Sequence, residues 1–225
     1  MLAEIITGVV ILLAGWGGVA VYFRFRSRGA RTRRLLQRRS RVPIAALQDG
    51  VPSKISGRLR YASEPLRAAL TGRPCAVWEI EIEELTADRE SIAPVWQPFI
   101  VEQDARDFHV DDESGSVLVH TAFVRVTAVK DAQFWSGLLR DAPPQLEAYL
   151  QRHGERSKGK LGLNRTIRYR EGVLEAGEQV TVLGVPRAED EPGVAHDYRE
   201  QQQRLVMHGP ADGFVVVSDA PDTQR

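Results

Sequence analysis

The chain has 225 residues, of which 43% are hydrophobic and 27% charged, a balance that excludes a wholly disordered chain and allows one or two domains. A single cysteine excludes a disulfide framework, a cysteine-based zinc finger and a RING. Thirty basic and thirty acidic residues cancel, but unevenly: residues 24–41 hold nine arginines and no acid, whereas residues 42–225 hold 21 basic against 29 acidic residues.

In chain order, Ile5 to Phe23 is an uncharged apolar run whose one polar side chain is Thr7. As a helix it would span about 28 Å, close to the hydrocarbon core of about 30 Å. The sequence therefore predicts a transmembrane helix over 5–23 behind a short N-terminus, 1–4. Gly18-Val19-Ala20 would suit a cleaved signal peptide, but the preceding Met-Leu-Ala-Glu carries no basic residue. Arg24, Arg26, Arg28, Arg31, Arg33, Arg34, Arg38, Arg39 and Arg41 follow within 18 residues. By the positive-inside rule they place the N-terminus outside and the rest in the cytosol, a single-pass membrane protein. Residues 24–53 read as a basic juxtamembrane segment and linker. Anionic lipid headgroups are its expected partner, and no specific nucleic acid is expected.

The body, 54–219, reads mainly as strands. Lys54 to Tyr61 is a short strand candidate. In Ala76 to Leu85, Trp78, Ile80 and Ile82 alternate with Glu79, Glu81 and Glu83, a period of two with one face buried and one wet. Phe99 to Val101 continues the pattern. Phe108 to Val110 and Val117 to His120 flank the loop Asp111–Gly115 as a hairpin. Phe123 to Val129 is another β-branched run. Asp141 suits a helix cap, Pro143 and Pro144 suit first positions, and Leu146, Tyr149, Leu150 and His153 form the buried stripe before Gly154. Strands resume at Thr166 to Arg170 and Gln179 to Val185. Glu189 to Gly193 reads as a solvated loop and Tyr198 to Arg204 as a short polar helix. Leu205 to Met207 and Phe214 to Val217 close the domain, leaving a tail at 220–225. The expected fold is mainly β (α+β): a transmembrane helix plus a small barrel or sandwich with one or two short helices.

Chemical motifs are sparse. Gly154 to Lys160 has the Gly-x-x-x-x-Gly-Lys skeleton, but Leu161 stands where Ser or Thr is needed and the run follows a helix. Of His109, His120, His153, His196 and His208, no two have a helical metal-ligand spacing. His109 and His120 meet across the predicted hairpin near Asp111, which leaves a metal or acid–base site open there, against two solvent-facing or self-satisfied histidines. Cys75 reads as a buried structural thiol, with a nucleophile assisted by Arg73 as the alternative. No cofactor and no metal site is expected.

Three stretches resemble one known family. Ser63-Glu64-Pro65-Leu66 with Leu70-Thr71-Gly72-Arg73-Pro74-Cys75 and the strand to Glu84 is the first. Phe108 to Val117, with Asp112, Ser114 and Gly115 at its turn, is the second. Arg170-Glu171-Gly172-Val173-Leu174-Glu175-Ala176-Gly177-Glu178-Gln179-Val180 with Gly184 is the third. In order, together with Phe214 to Asp219, they resemble the GIDE family, or BAM ("beside a membrane") domain. The resemblance implies a β-rich recognition domain next to a membrane, with Gly72, Arg73, Pro74, Cys75, Asp112, Ser114, Gly115, Glu171, Gly172, Gly177 and Gly184 as structural or binding positions. Eukaryotic members are mitochondrial ubiquitin ligases with two membrane helices and a RING. One cysteine cannot build a RING, and no second membrane helix is expected after Asp219, so ligase activity does not carry over. A RING-less, bacterial-type member in an inner membrane is expected, since 26 of the 30 basic residues are arginine, as in GC-rich bacterial genomes. The expected function is a membrane-anchored cytosolic interaction or sensing module with a protein partner and no catalysis. The alternatives are a hydrolase using Cys75 or His109 and His120, and an anionic-lipid organiser acting through the arginines.

Overall fold

The computed structural model describes residues 29, 32–86, 94–137, 140–159, 162–190, 203–211 and 213–224. Thirteen strands are present among them: β1 (Ser53–Tyr61), β2 (Leu66–Arg67), β3 (Pro74–Cys75), β4 (Val77–Thr86), β5 (Val95–Ala105), β6 (Phe108–Asp112), β7 (Gly115–Val119), β8 (Val124–Thr127), β9 (Ala132–Ser136), β10 (Ile167–Leu174), β11 (Gln179–Asp190), β12 (Gln203–His208) and β13 (Val215–Ser218). Residues 32–37 are helical (α1), and Pro144–Arg152 forms α2.

The chain divides into two compact units. The larger comprises Arg31–Glu79, Gln103–Lys130 and Gly172–Arg225. Its sheet runs β1-β6-β7-β12-β11-β13-β8, and β11 also pairs with β1. That extra pairing closes β1, β6, β7, β12 and β11 into a five-stranded barrel. The pairs are antiparallel except β7 with β12. Numbered along the chain the order is 1-2-3-5-4-1, that of the OB-type Greek-key barrel. β1 serves both sides: Ser53 to Arg58 pair with β11, and Arg58 to Tyr61 with β6. Gly57 sits just before the changeover, where a Cβ would collide with the Asp111 carbonyl oxygen. Strand alternation fills the barrel: Ile55, Leu59, Phe108, Val110, Val117, Val119, Val180, Val182 and Met207 point inward and are buried.

The barrel core begins earlier than residue 54. Leu36 and Thr32 of α1 are fully buried, and Lys54 Nζ donates to the Leu36 carbonyl at 2.9 Å. Ile44 and Leu47 belong to the core cluster. The segment between is clasped by the hairpin turn. Asp112 Oδ2 accepts from the Ile44 N–H (3.1 Å), while Oδ1 accepts from the Ser114 N–H, the Ser114 hydroxyl and the Gly115 N–H. Burial pushes this carboxyl up, but the Ser114 hydrogen bonds and those from Ile44 and Gly115 outweigh it and hold it below the usual carboxylate range.

The smaller unit contains Ile80–Glu102 and Asp131–Glu171. Its sheet runs β5-β4-β10-β9. Leu146, Tyr149 and Leu150 of α2 are buried, as the stripe predicts, whereas His153 is exposed. Pro143, not Asp141, is the N-cap, and no side chain caps the helix; the Asp141 carboxylate instead accepts from Asn164 Nδ2. Tyr149 donates its hydroxyl to Glu102, whose carboxylate also meets His153 Nε2 at 3.1 Å. Burial and the Glu102 hydrogen bond push the Tyr149 phenol well above its ordinary value.

The transmembrane expectation is corrected. Among the described residues no helix is long and apolar enough to cross a membrane. The nine-residue α2 rises about 14 Å, half of what a span needs. Ile5 to Phe23 itself lies outside the described residues, as do Arg24, Arg26, Arg28 and Arg31. The fold class is therefore a mostly β chain with a closed barrel, and the single-pass, N-terminus-outside, inner-membrane placement is withdrawn with the helix. The strand readings also change in places. β9 and the β2–β3 pair were not predicted, β10 runs on to Leu174, and β11 runs through Glu189 and Asp190, read as a loop. Gln203 and Arg204, assigned to a polar helix, start β12; residues 198–202 lie outside the described ones.

Candidate functional site

Two stretches of chain next to β6 and β7 build the most elaborate side-chain cluster of the larger unit. Asp107 precedes β6 and His120 follows β7. The register of this hairpin pairs Phe108 with Val119 and His109 with Leu118, so Asp107 and His120 are the next opposed positions. Asp107 Oδ2 lies 2.9 Å from His120 Nδ1, and Oδ1 accepts the Thr121 N–H (2.7 Å) and hydroxyl (2.9 Å). Burial works against the charged carboxylate, but the His120 hydrogen bond and the two from Thr121 prevail and keep it below the usual range. An ionised Asp107 can only accept, so Nδ1 of His120 is the donor in this contact and Nε2 takes no part in it.

His208, the last residue of β12, mirrors this arrangement. Its Nε2 lies 2.7 Å from Glu189 Oε1 on β11, and its ring centre is 5.2 Å from that of His120. His120 lines two adjoining open cavities, of about 630 and 380 Å³, and His208 lines the smaller of them. Both are also walled by Phe123 and Phe214. Phe123 is 71% exposed and Phe214 43%. The Phe123 backbone is held, its carbonyl accepting the Val215 N–H at 2.9 Å, so the ring is presented by an anchored main chain. Arg125 lies over the Phe214 ring at 4.6 Å. The cavities lie where the chain leaves the first, third and fifth barrel strands, the mouth of the barrel, where ligand sites of β-barrels recur.

The barrel's outer face over β1, β6 and β7 is chemically closed by comparison. Arg60 grips Asp111 through two nitrogens (2.8 and 3.2 Å) and also donates to Ser116. His109 stands beside this pair, and burial, reinforced by the Arg60 charge, lowers its pKa. His109 and His120 do not form a joint site, because the hairpin turns through two residues and places Leu118, not His120, opposite His109. Among the described residues no three His, Cys, Asp or Glu side chains gather to hold a metal ion. His196 and Lys160 lie outside the described residues.

The remaining sequence-derived positions take up places in the fold. Cys75 in β3 is fully buried with its thiol 3.9 Å from the Leu66 carbonyl, so no solvent path reaches it. Pro74 precedes it, Gly72 makes the β2–β3 turn, and Arg73 approaches Glu175 at 3.8 Å. Gly115 opens β7 and Gly184 lies in β11. Glu171 is fully buried in β10 and is followed there by Gly172, while Gly177 makes the β10–β11 turn with φ of +89°. Arg41 pairs with Asp112 (3.6 Å) and Arg39 donates to the Pro52 carbonyl; Arg33, Arg34 and Arg38 belong to the same segment, α1 and the turn after it. Asp107, His208, Glu189, Phe123 and Phe214 were not singled out from the sequence. The signal for Asp107 was the hairpin register; none marked the others.

In the smaller unit, the wet face expected of β4 is an ionic layer. Glu83 is 2% exposed and pairs with Arg168 (2.7 Å) and Arg170 (3.0 Å); Glu81 pairs with Arg170 (2.8 Å). Arg165 holds Glu84 and Glu155. Arg168 also lies 4.4 Å over Trp96, itself edge-on to Trp135.

Compared with models of protein families, with curated proteins and with solved structures, the chain matches none.

Proposed function

We propose that this protein is a non-catalytic interaction module whose barrel mouth receives an apolar or aromatic side chain of a protein partner. The observation that carries the reading is that Phe123 and Phe214 are large, exposed and shared by two adjoining cavities, while the backbone beneath Phe123 is fixed. Paired exposed aromatics on anchored loops supply contact area at low entropic cost, the usual makings of a binding hot spot. The resemblance to the GIDE/BAM family belongs to the same proposal, since its implied role is recognition. Several of its positions, Asp112, Ser114 and Cys75 among them, serve the fold here.

The test is selection of a displayed peptide library on the full chain. Bound sequences should share an apolar or aromatic anchor, and Phe123→Ala with Phe214→Ala should weaken them at least tenfold at unchanged thermal stability. Selected peptides that bind the double variant equally well would move the site elsewhere.

The Asp107–His120 pair favours a second reading, a general acid–base site, since its free Nε2 borders a cavity. The hydroxyl side chains lining that cavity are Ser63 and Thr121, and Thr121 is already committed to Asp107. Hydrolysis of activated esters that disappears in His120→Ala would support it.

A further inference from the structure

The two histidines at the mouth share a feature that a side-chain-binding groove does not require. Each has one ring nitrogen fixed by a carboxylate, Asp107 on His120 Nδ1 and Glu189 on His208 Nε2. The nitrogens left over, Nε2 of His120 and Nδ1 of His208, are lone-pair donors when the rings are neutral. A carboxylate behind an imidazole is the standard outer-shell arrangement of a metal-binding histidine, because it fixes the tautomer and raises the basicity of the other nitrogen. The spacing agrees. Two imidazoles bound to one ion at about 2.0–2.1 Å and a tetrahedral angle have ring centres about 5 Å apart, and these two stand at 5.2 Å with planes inclined by 51°.

We propose that His120 and His208 bind one divalent transition-metal ion of the zinc, nickel or copper class at the barrel mouth, oriented by Asp107 and Glu189. Imidazole donors select that class over magnesium and calcium, which take oxygen. The pair supplies two ligands, in keeping with the lack of any three-residue cluster among the described residues. The remaining coordination positions open on the smaller cavity, which both histidines line, and are filled by water or by a donor atom of a bound molecule. Such a site is exchangeable rather than structural, and the barrel core does not depend on it. It stands whether or not Phe123 and Phe214 receive a partner's side chain.

The experiment uses the full chain, stripped with a chelator and titrated with zinc chloride by calorimetry at pH 7.5, with cobalt(II) absorption as a second readout. One ion per chain is expected. His120→Ala and His208→Ala should each weaken binding more than tenfold, whereas His109→Ala and His153→Ala should leave it unchanged. Asp107→Asn and Glu189→Gln should weaken it by about 10- to 100-fold while keeping both ligands. If an alanine variant does not fold, His120→Gln and His208→Gln keep a hydrogen-bonding amide beside each carboxylate and serve instead. Zinc binding that survives when His120→Ala and His208→Ala are combined, or no binding by the wild type up to millimolar zinc, would overturn the assignment. Peptide selection on the zinc-free chain separates this outcome from failure of the groove.

Discussion

The β4 face of the smaller unit and the barrel mouth of the larger one are both built from charged and aromatic side chains, yet they spend them differently. On the β4 face the charges close on one another: Glu81 and Glu83 are taken by Arg170 and Arg168, and the guanidinium of Arg168 covers Trp96. At the mouth, one ring nitrogen of each histidine is tied down and the other is left over. Asp107 and Glu189 hold one nitrogen of each histidine, and Phe123 keeps its ring in water while its carbonyl is bonded. Composition alone would rank the β4 face, richer in tryptophan and arginine, as the more promising surface. Partner by partner, the order reverses. A saturated ionic layer holds a sheet together, whereas a half-satisfied, anchored cluster is one that a ligand can complete.

The largest expected effect breaks the β4 face. Glu83→Ala would leave Arg168 and part of Arg170 facing a vacated, nearly dry carboxylate site. Removing one partner of a buried pair costs about 3 kcal/mol, so urea unfolding should show a large fall in midpoint. Glu83→Gln, which keeps the shape and one acceptor, should cost less. Equal and small losses in both would mean that the layer is surface decoration.

How much of this was legible depends on the distance over which each contact forms. The alternation in Trp78 to Glu83 is local, and β4 follows it. That its glutamates would be neutralised is not local, because Arg168 and Arg170 arrive 85 to 89 residues later. The same split explains the histidines. The sequence reading sets His120 against His109, whereas Asp112 pairs with Gly115 around a two-residue turn and His109 stands opposite Leu118. With that register, Asp107 opposite His120 follows from the sequence. His208 does not, since β12 joins β7 in parallel across some 90 residues. The core positions of Ile44 and Leu47, within the stretch read as a linker, were hidden for a third reason. Ile44 and Leu47 are too sparse to form a pattern, and they enter the core because Asp112 clasps the backbone beside them.

A smaller loss is expected at that clasp in the larger unit. Asp112→Ala removes an acceptor of four hydrogen bonds and should cost about 2 kcal/mol. The carboxyls of Asp107, Asp111 and Asp112 are all held below the ordinary range. A depressed carboxyl contributes stability that is complete above its unfolded pKa of about 3.9 and is lost as pH falls through the folded value. Stability measured by urea at successive pH values should therefore be level near neutrality, as far as these groups are concerned, and fall below about pH 4. Asp112→Asn should flatten part of that fall. An acid limb identical to that of the wild type would show that the clasp is not charged in the folded chain.

The smallest effect separates the two regions most sharply, because it compares one exposed aromatic from each. Trp135 is 39% exposed and Phe123 71%. Trp135 makes an edge contact with Trp96 at 5.4 Å and has the Arg168 guanidinium 5.7 Å from its ring centre. Trp135→Ala thus removes an aromatic pair and a cation–π partner, a loss of about 1–2 kcal/mol. Phe123 is held through its carbonyl, which any residue supplies, and its ring is mostly exposed. Phe123→Ala should change stability by no more than about 0.5 kcal/mol, with unfolding cooperativity intact. An exposed ring whose removal leaves folding unchanged is the outcome that the proposed contact surface requires. If Phe123→Ala destabilises the chain as much as Trp135→Ala does, the ring is part of the fold. The mouth is then closed by its own side chains, as the β4 face is, and the difference between the two regions disappears.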